Sequence, residues 1–134
     1  MPSSPATNPL LYDLALQGPP EMFFIGPRRR KLIAPLRGLV LEIGAGTGLS
    51  LRYYSEGARV VATEFDPASL PRLSARARSA RVGVLFAAAD AMRLPFRDAT
   101  FDALVWAKQY TCGPVCGMVA VSQSRTLPNL CSFA

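Results

Sequence analysis

A chain of 134 residues, half of them hydrophobic, can bury one core but hardly two, and its net charge of +6, from 15 Lys+Arg against 9 Asp+Glu, suits an acidic partner without specifying one. The absence of histidine excludes Ser–His and Cys–His nucleophile pairs and histidine-ligated zinc. Three cysteines near the C-terminus, no bilayer-length apolar run and no signal-peptide pattern at the N-terminus lead us to expect a cytoplasmic protein without a disulfide framework or transmembrane segment.

Residues 1–20 begin with the proline- and serine-rich run MPSSPATNP and a short apolar piece, Leu10–Leu16, and predict a mobile N-terminal arm ending at Gly18-Pro19-Pro20. Glu21–Ile25 and Pro27–Leu36 read as two helical pieces broken at Gly26-Pro27. Pro27 suits a first helical position, where its missing N–H costs nothing. Arg28, Arg29, Arg30 and Lys31 read as a solvated helix start. Leu39–Ile43 is an apolar run of strand length stopped by Gly44, and Thr47–Glu56 predicts a helix closed by Gly57. Arg59–Thr63 is a β-branched run. Pro67–Ala80 carries Leu70, Leu73 and Ala77 at helical spacing, with Arg72, Arg76, Arg78 and Arg81 on its wet face. Val82–Ala88 and Phe101–Trp106 add two strands, separated by a polar turn at Arg97-Asp98. Strands alternating with helices predict an α/β fold with a parallel sheet. The core therefore falls within residues 21–106, leaving 107–134 as an atypical tail. No acidic residue follows Asp102, and the tail's one strand-like run, Met118–Val121, has no evident place in the fold.

The stretch Glu42-Ile43-Gly44-Ala45-Gly46-Thr47-Gly48 stands directly after a strand and before a predicted helix. Glycines there let the main chain bend sharply and approach a ligand closely, while the helix start offers unsatisfied N–H groups. A nicotinamide dinucleotide site wants its third glycine at the sixth position, and here that residue is Leu49. The Lys-plus-hydroxyl ending of a P-loop is also absent, and Glu42 beside the loop disfavours a pyrophosphate. A ligand without phosphates and with positive charge fits better. The second strand ends in Glu64, about 20 positions beyond the first glycine, where a carboxylate can accept from both ribose hydroxyls. The third ends in Asp90, placed to accept from an adenine amino group, with the Ala91 N–H beside it for a ring nitrogen. Asp66 reads equally as a helix cap before Pro67, and Asp102 as a strand-start hydrogen-bonding residue. Cys112 and Cys116 are three residues apart, and Cys131 has no companion to complete a zinc site, so no metal is expected.

Taken in order, VLEIGAGTG, VVATEFDP, AAADAMRLPF and FDALV resemble a class I S-adenosylmethionine-dependent methyltransferase over roughly residues 38–106, of the methyltransferase type 11-like kind that acts on quinones, phospholipids and other small molecules. The resemblance implies a Rossmann-like, doubly wound parallel sheet and S-adenosyl-L-methionine as cofactor. It implies that Gly44, Ala45, Gly46 and Gly48 line the methionine part, that Glu42 supports the loop and the amino group, that Glu64 holds the ribose, and that Asp90 and Ala91 hold the adenine. The partner it implies is a small-molecule or lipid methyl acceptor, with peripheral membrane contact open and nucleic acid favoured by charge alone. The family sheet has seven strands, and beyond the fourth this sequence stops resembling it, so a fold incomplete at the C-terminal side is expected, with one sheet edge uncovered. Methyl transfer from a sulfonium is an in-line displacement needing no obligatory base, and no catalytic residue is named; for Tyr12, Tyr53 and Trp106 core packing is the simpler reading. A non-enzymatic remnant or docking fragment, and a dinucleotide-binding protein, stand as the alternatives.

Overall fold

The computed structural model describes residues 23, 25–108 and 118–122. The expected N-terminal arm with Tyr12, and the tail cysteines Cys112, Cys116 and Cys131, lie outside the described residues.

Helix α1 (Gly26–Ile33) has Pro27 in its first turn and buries Gly26, Arg29 and Ile33, a spacing of three and four that puts them on one face. Arg37 closes it, donating from Nη1 to the carbonyls of Ala34 and Leu36, each at 2.8 Å. Then follow β1 (Gly38–Ile43), a 3-10 helix (Leu49–Tyr53), β2 (Ala58–Glu64), α2 (Leu70–Ser79), β3 (Gly83–Ala88), β4 (Ala103–Lys108) and β5 (Met118–Ser122).

The strands form one sheet in the order β3-β2-β1-β4-β5. The first four are parallel, with β1 central: Val40 faces Val60 on β2 and Ala103 on β4. Chain order reverses between β1 and β4, and in open α/β sheets such a switch point opens a crevice at the carboxyl ends of the strands. β5 departs from expectation. The run Met118–Val121, unplaced from sequence, pairs antiparallel with β4 from Leu104↔Ser122 to Lys108↔Met118, so the β4 edge expected to be bare has its N–H and C=O groups satisfied.

Alternation along β1 divides the core. Val40, with Val60, Ala62 and Val105, faces Ile33 of α1, Leu51 and Tyr54 at the 3-10 helix, and Leu73 of α2. Leu41 and Ile43 face the other way, with Leu104 and Phe101. That side is covered by the segment after β3, through Ala91, Leu94 and Phe96, whose ring meets Phe101 edge-on at 5.1 Å.

Three predicted helices are shorter than expected, the one over Pro27–Leu36 ending at Ile33. Thr47–Glu56 yields only the 3-10 helix, because Gly48 is left-handed (φ 85°) and excludes everything before Leu49, while Tyr54 is already extended. The helix expected from Pro67 begins at Leu70. Before it, Asp66 holds a turn by accepting from Ala68 N–H and Ser69 Oγ–H, each at 3.1 Å; the helix cap falls at Ser69, so Asp66 is not the cap that the sequence offered as one reading.

At the start of β1, Gly38 has φ 77° and lies against the Asp102 carboxylate, which accepts from Leu39 N–H at 2.9 Å; Asp102 N–H donates to the Leu39 carbonyl at 2.8 Å. A β-carbon at position 38 would collide with that carboxylate. Gly38→Ala should therefore lower the unfolding free energy by about 1–3 kcal/mol, from left-handed strain and a disturbed hydrogen bond. Adding Asp102→Ala, which makes room for the methyl group, should recover part of the loss beyond additivity. Urea midpoints that add without coupling would contradict this packing.

Candidate functional site

The loop leaving β1 turns over the end of β2. Gly44, Gly46 and Gly48 all have positive φ, Ala45 N–H donates to the Thr63 carbonyl at 2.9 Å, and Gly48 N–H to the Ala45 carbonyl at 3.0 Å. Only Gly44 is partly open; Ala45 to Gly48 are buried. From α2, Arg76 reaches across to donate to the Thr47 carbonyl at 2.7 Å. Arg76 is therefore a tie between helix and loop, not part of a purely solvated face.

Glu64, at the end of β2, meets this loop directly. Its Oε2 accepts from Gly46 N–H at 2.6 Å, and Oε1 accepts from the N–H groups of Phe65 and Asp66 at 2.8 and 2.9 Å. Three main-chain donors thus converge on one half-buried carboxylate, bonds of the stronger, charge-assisted kind. Ala89 N–H donates to the Glu64 carbonyl at 3.1 Å, which sets the next residue, Asp90, beside the same strand end. Asp90 Oδ1 accepts from Met92 N–H at 2.8 Å and its carbonyl from Arg93 N–H at 2.9 Å, a local turn that leaves the residue partly exposed. Ala91 packs under this turn against the second core cluster. The glycine loop, Glu64 and Asp90 are therefore together, as the sequence predicts.

Glu42 lies beneath them rather than among them. It is 0% exposed on the α1 side of the sheet, and its Oε2 accepts from the Tyr54 hydroxyl at 2.9 Å. Its Oε1 has no hydrogen-bond partner among the described residues. Burial pushes the Glu42 carboxyl up from 4.5 to about 7, opposed by the Tyr54 hydroxyl, by neighbouring Ser50 and by the charge of Arg29. Burial and the Glu42 charge in turn hold the Tyr54 hydroxyl well above its usual range, so it remains a donor.

Arg29 corrects the reading of 28–31 as a solvated run: it is 5% exposed, while Arg28, Arg30 and Lys31 are exposed. The signal available in sequence was its spacing of four from Ile33 on the inward face. Tyr54 was missed as well. Tyr53 beside it packs partly against the core, with Arg52 stacked 4.9 Å over its ring, and Trp106 is half-buried on β4 opposite Ile43. No helix among the described residues is long and apolar enough to cross a membrane.

A family model described as a methyltransferase domain matches residues 40–120, more than half of the chain. Over 69 residues the chain is 46% identical to the demethylmenaquinone methyltransferase of Thermobifida fusca, covering 49% of this chain and 29% of that protein. Over 85 residues it is 39% identical to the phosphatidylethanolamine N-methyltransferase of Cereibacter sphaeroides, covering 59% and 41%. The chain thus spans less than half the length of either relative. A solved SAM-dependent methyltransferase from Aquifex aeolicus matches with a TM-score of 0.55 over 79% of this chain and 77% of that one, a likeness of fold at 15% identity.

The buried Glu42 carboxyl makes stability depend on pH. Its value in the folded chain, about 7, lies above the ordinary 4.5, so between these values the unfolded chain has lost a proton that the native chain keeps. Stability is then full below about 4.5, falls as pH rises, and is lost by on the order of 3 kcal/mol above about 7. Urea midpoints measured from pH 4 to 8 should fall through roughly this window, and Glu42→Gln should flatten that part of the profile. Tyr54→Phe removes a donor that favours the ionised form and should move the window upward. An unaltered profile in Glu42→Gln would assign the dependence to other groups.

Proposed function

Since this chain belongs to the class I S-adenosylmethionine-dependent methyltransferases, we propose that the crevice at the ends of β1, β2 and β3 binds S-adenosylmethionine and serves methyl transfer to a small-molecule or lipid acceptor. The observation that carries this reading is the 2.6 Å bond from Gly46 N–H to Glu64, which puts an acidic strand end in contact with the glycine loop. We place the cofactor-binding unit within residues 21–106. The acceptor class rests on the quinone and phospholipid methyltransferases among the relatives.

The residues present fit such a cofactor. The loop offers close main-chain approach, and its neighbours on the crevice side are the carboxylates Glu64 and Asp90, which suit hydroxyl and amino donors better than a phosphate. A carboxylate has about four lone-pair sites, and three at Glu64 are already used. Holding two ribose hydroxyls therefore requires Glu64 to release Gly46 N–H, the donor contributed by the other segment. Asp90 would hold the adenine amino group with Ala91 N–H beside it, and Gly44, Ala45, Gly46 and Gly48 would line the methionine part. Glu42, sealed below, would support the site from behind, by holding the Tyr54 hydroxyl just beyond the 3-10 helix.

When bound, the cofactor supplies a methyl group on a positively charged sulfur. What the chain contributes is position and exclusion of water. The buried loop and the fixed strand ends hold one reactant, so that an acceptor can approach in line.

Glu64→Ala should weaken binding of S-adenosylhomocysteine roughly tenfold to several-hundredfold, since two charge-assisted bonds of about 1.5–3 kcal/mol each are lost and solvation offsets part. Arg59→Ala, exposed on β2, should change affinity little. Calorimetric titration gives the comparison, with circular dichroism to confirm folding. Equal weakening by both substitutions would point to a diffuse charge effect, and tighter binding of a nicotinamide dinucleotide than of S-adenosylhomocysteine would overturn the cofactor assignment.

A further inference from the structure

On the helical side of the sheet, away from the strand-end crevice, lies a groove of about 940 Å³. Arg30 of α1, Arg37 behind it, Arg52 of the 3-10 helix, Arg76 of α2 and Arg81 just beyond α2 all line it; Glu56 is the one carboxylate among the described lining residues. From the loop Gly44–Gly48 it touches Gly48 alone. Five arginines from separate segments therefore line a common space with one carboxylate beside them, an arrangement that raises the local concentration of anions.

Three of the five are held in place by the protein. Arg37 is fixed by the carbonyls of Ala34 and Leu36, Arg76 by that of Thr47, and Arg52 by the Tyr53 hydroxyl at 2.9 Å and by stacking on its ring. Arginines anchored in this way lose little further freedom when their guanidinium forks meet a ligand. Arg30 and Arg81 are exposed at the rim. Planar forks match phosphate oxygens two at a time, and a groove at the upper end of the roughly 300–1,000 Å³ of small-molecule pockets has room for more than one such group.

We propose that this groove binds a ligand bearing two or more phosphate groups, at a site separate from the strand-end crevice. The ligand is either a soluble polyphosphorylated compound or a phospholipid head group that itself bears more than one phosphate; the recognising chemistry is the same.

The test compares two double variants of equal charge. Arg30→Gln with Arg81→Gln removes two groove charges, whereas Arg28→Gln with Arg59→Gln removes two exposed charges outside it. Affinity for tripolyphosphate at fixed salt should fall about tenfold or more in the groove pair and less than about twofold in the outer pair. Co-sedimentation with cardiolipin–phosphatidylcholine vesicles, whose anionic head group carries two phosphates, forms the second arm. Vesicle binding that needs Arg30 and Arg81 and is displaced by tripolyphosphate identifies a lipid source. Tripolyphosphate binding that needs the same two residues, without vesicle binding, identifies a soluble one. No loss specific to the groove pair in either arm overturns the proposal. So does a single-stranded oligonucleotide that binds more tightly than tripolyphosphate and is weakened equally by both pairs, because that marks diffuse charge.

Discussion

A carboxyl group shut away from water beneath the glycine loop is the constraint around which this half of the molecule is arranged. An ionised carboxylate loses several kcal/mol of hydration on burial, and a neutral one still needs hydrogen-bond partners. At Glu42 the answer comes from three places: the hydroxyl of Tyr54, the neighbouring Ser50 and the charge of Arg29. One belongs to the 3-10 helix, one follows it directly, and one comes from α1. The docking of α1, the brevity of the 3-10 helix and the extended backbone of Tyr54 are therefore linked through one side chain.

Above that buried group, the loop is shaped by where its main-chain donors go. Gly46 N–H finds Glu64 and Ala45 N–H finds the Thr63 carbonyl, while the Thr47 carbonyl receives Arg76. Buried backbone groups must be paired, and here the pairing draws on both β2 and α2. In the proposed binding mode a ligand must offer at least as much to Glu64 as Gly46 does, which would couple binding to loop conformation.

The sheet is unevenly covered among the described residues. Helices lie over one face and the segment after β3 over part of the other, whereas β3 itself leaves Leu85 74% and Phe86 41% exposed. β4 is better protected, because β5 runs antiparallel along it. Covering a strand edge and covering a strand face are separate problems, and this fold solves the first at β4 without solving the second at β3.

The four parallel strands, the glycine loop and the acids at the strand ends were legible in the sequence because each is a local pattern: an apolar run, a turn that only glycine accommodates, and a carboxylate placed by the strand before it. The turn at Asp66 is local in the same way, its partners being Ala68 and Ser69, although the helix cap itself falls at Ser69. What tertiary structure alone decided involves partners distant in sequence. Arg29 reads as one of four like charges until Glu42 is placed near it, and Tyr54 reads as the tail of a helix until its hydroxyl is seen on a carboxylate 12 positions earlier. Arg76 reads as solvent-facing until it meets Thr47, 29 positions away, and Met118–Val121 has no place until β4 offers it an edge. Local propensity selects the elements, but hydrogen-bond and charge compensation between elements determines their length, which arginine is buried and which strand lies beside which, and those terms exist only once the chain has folded.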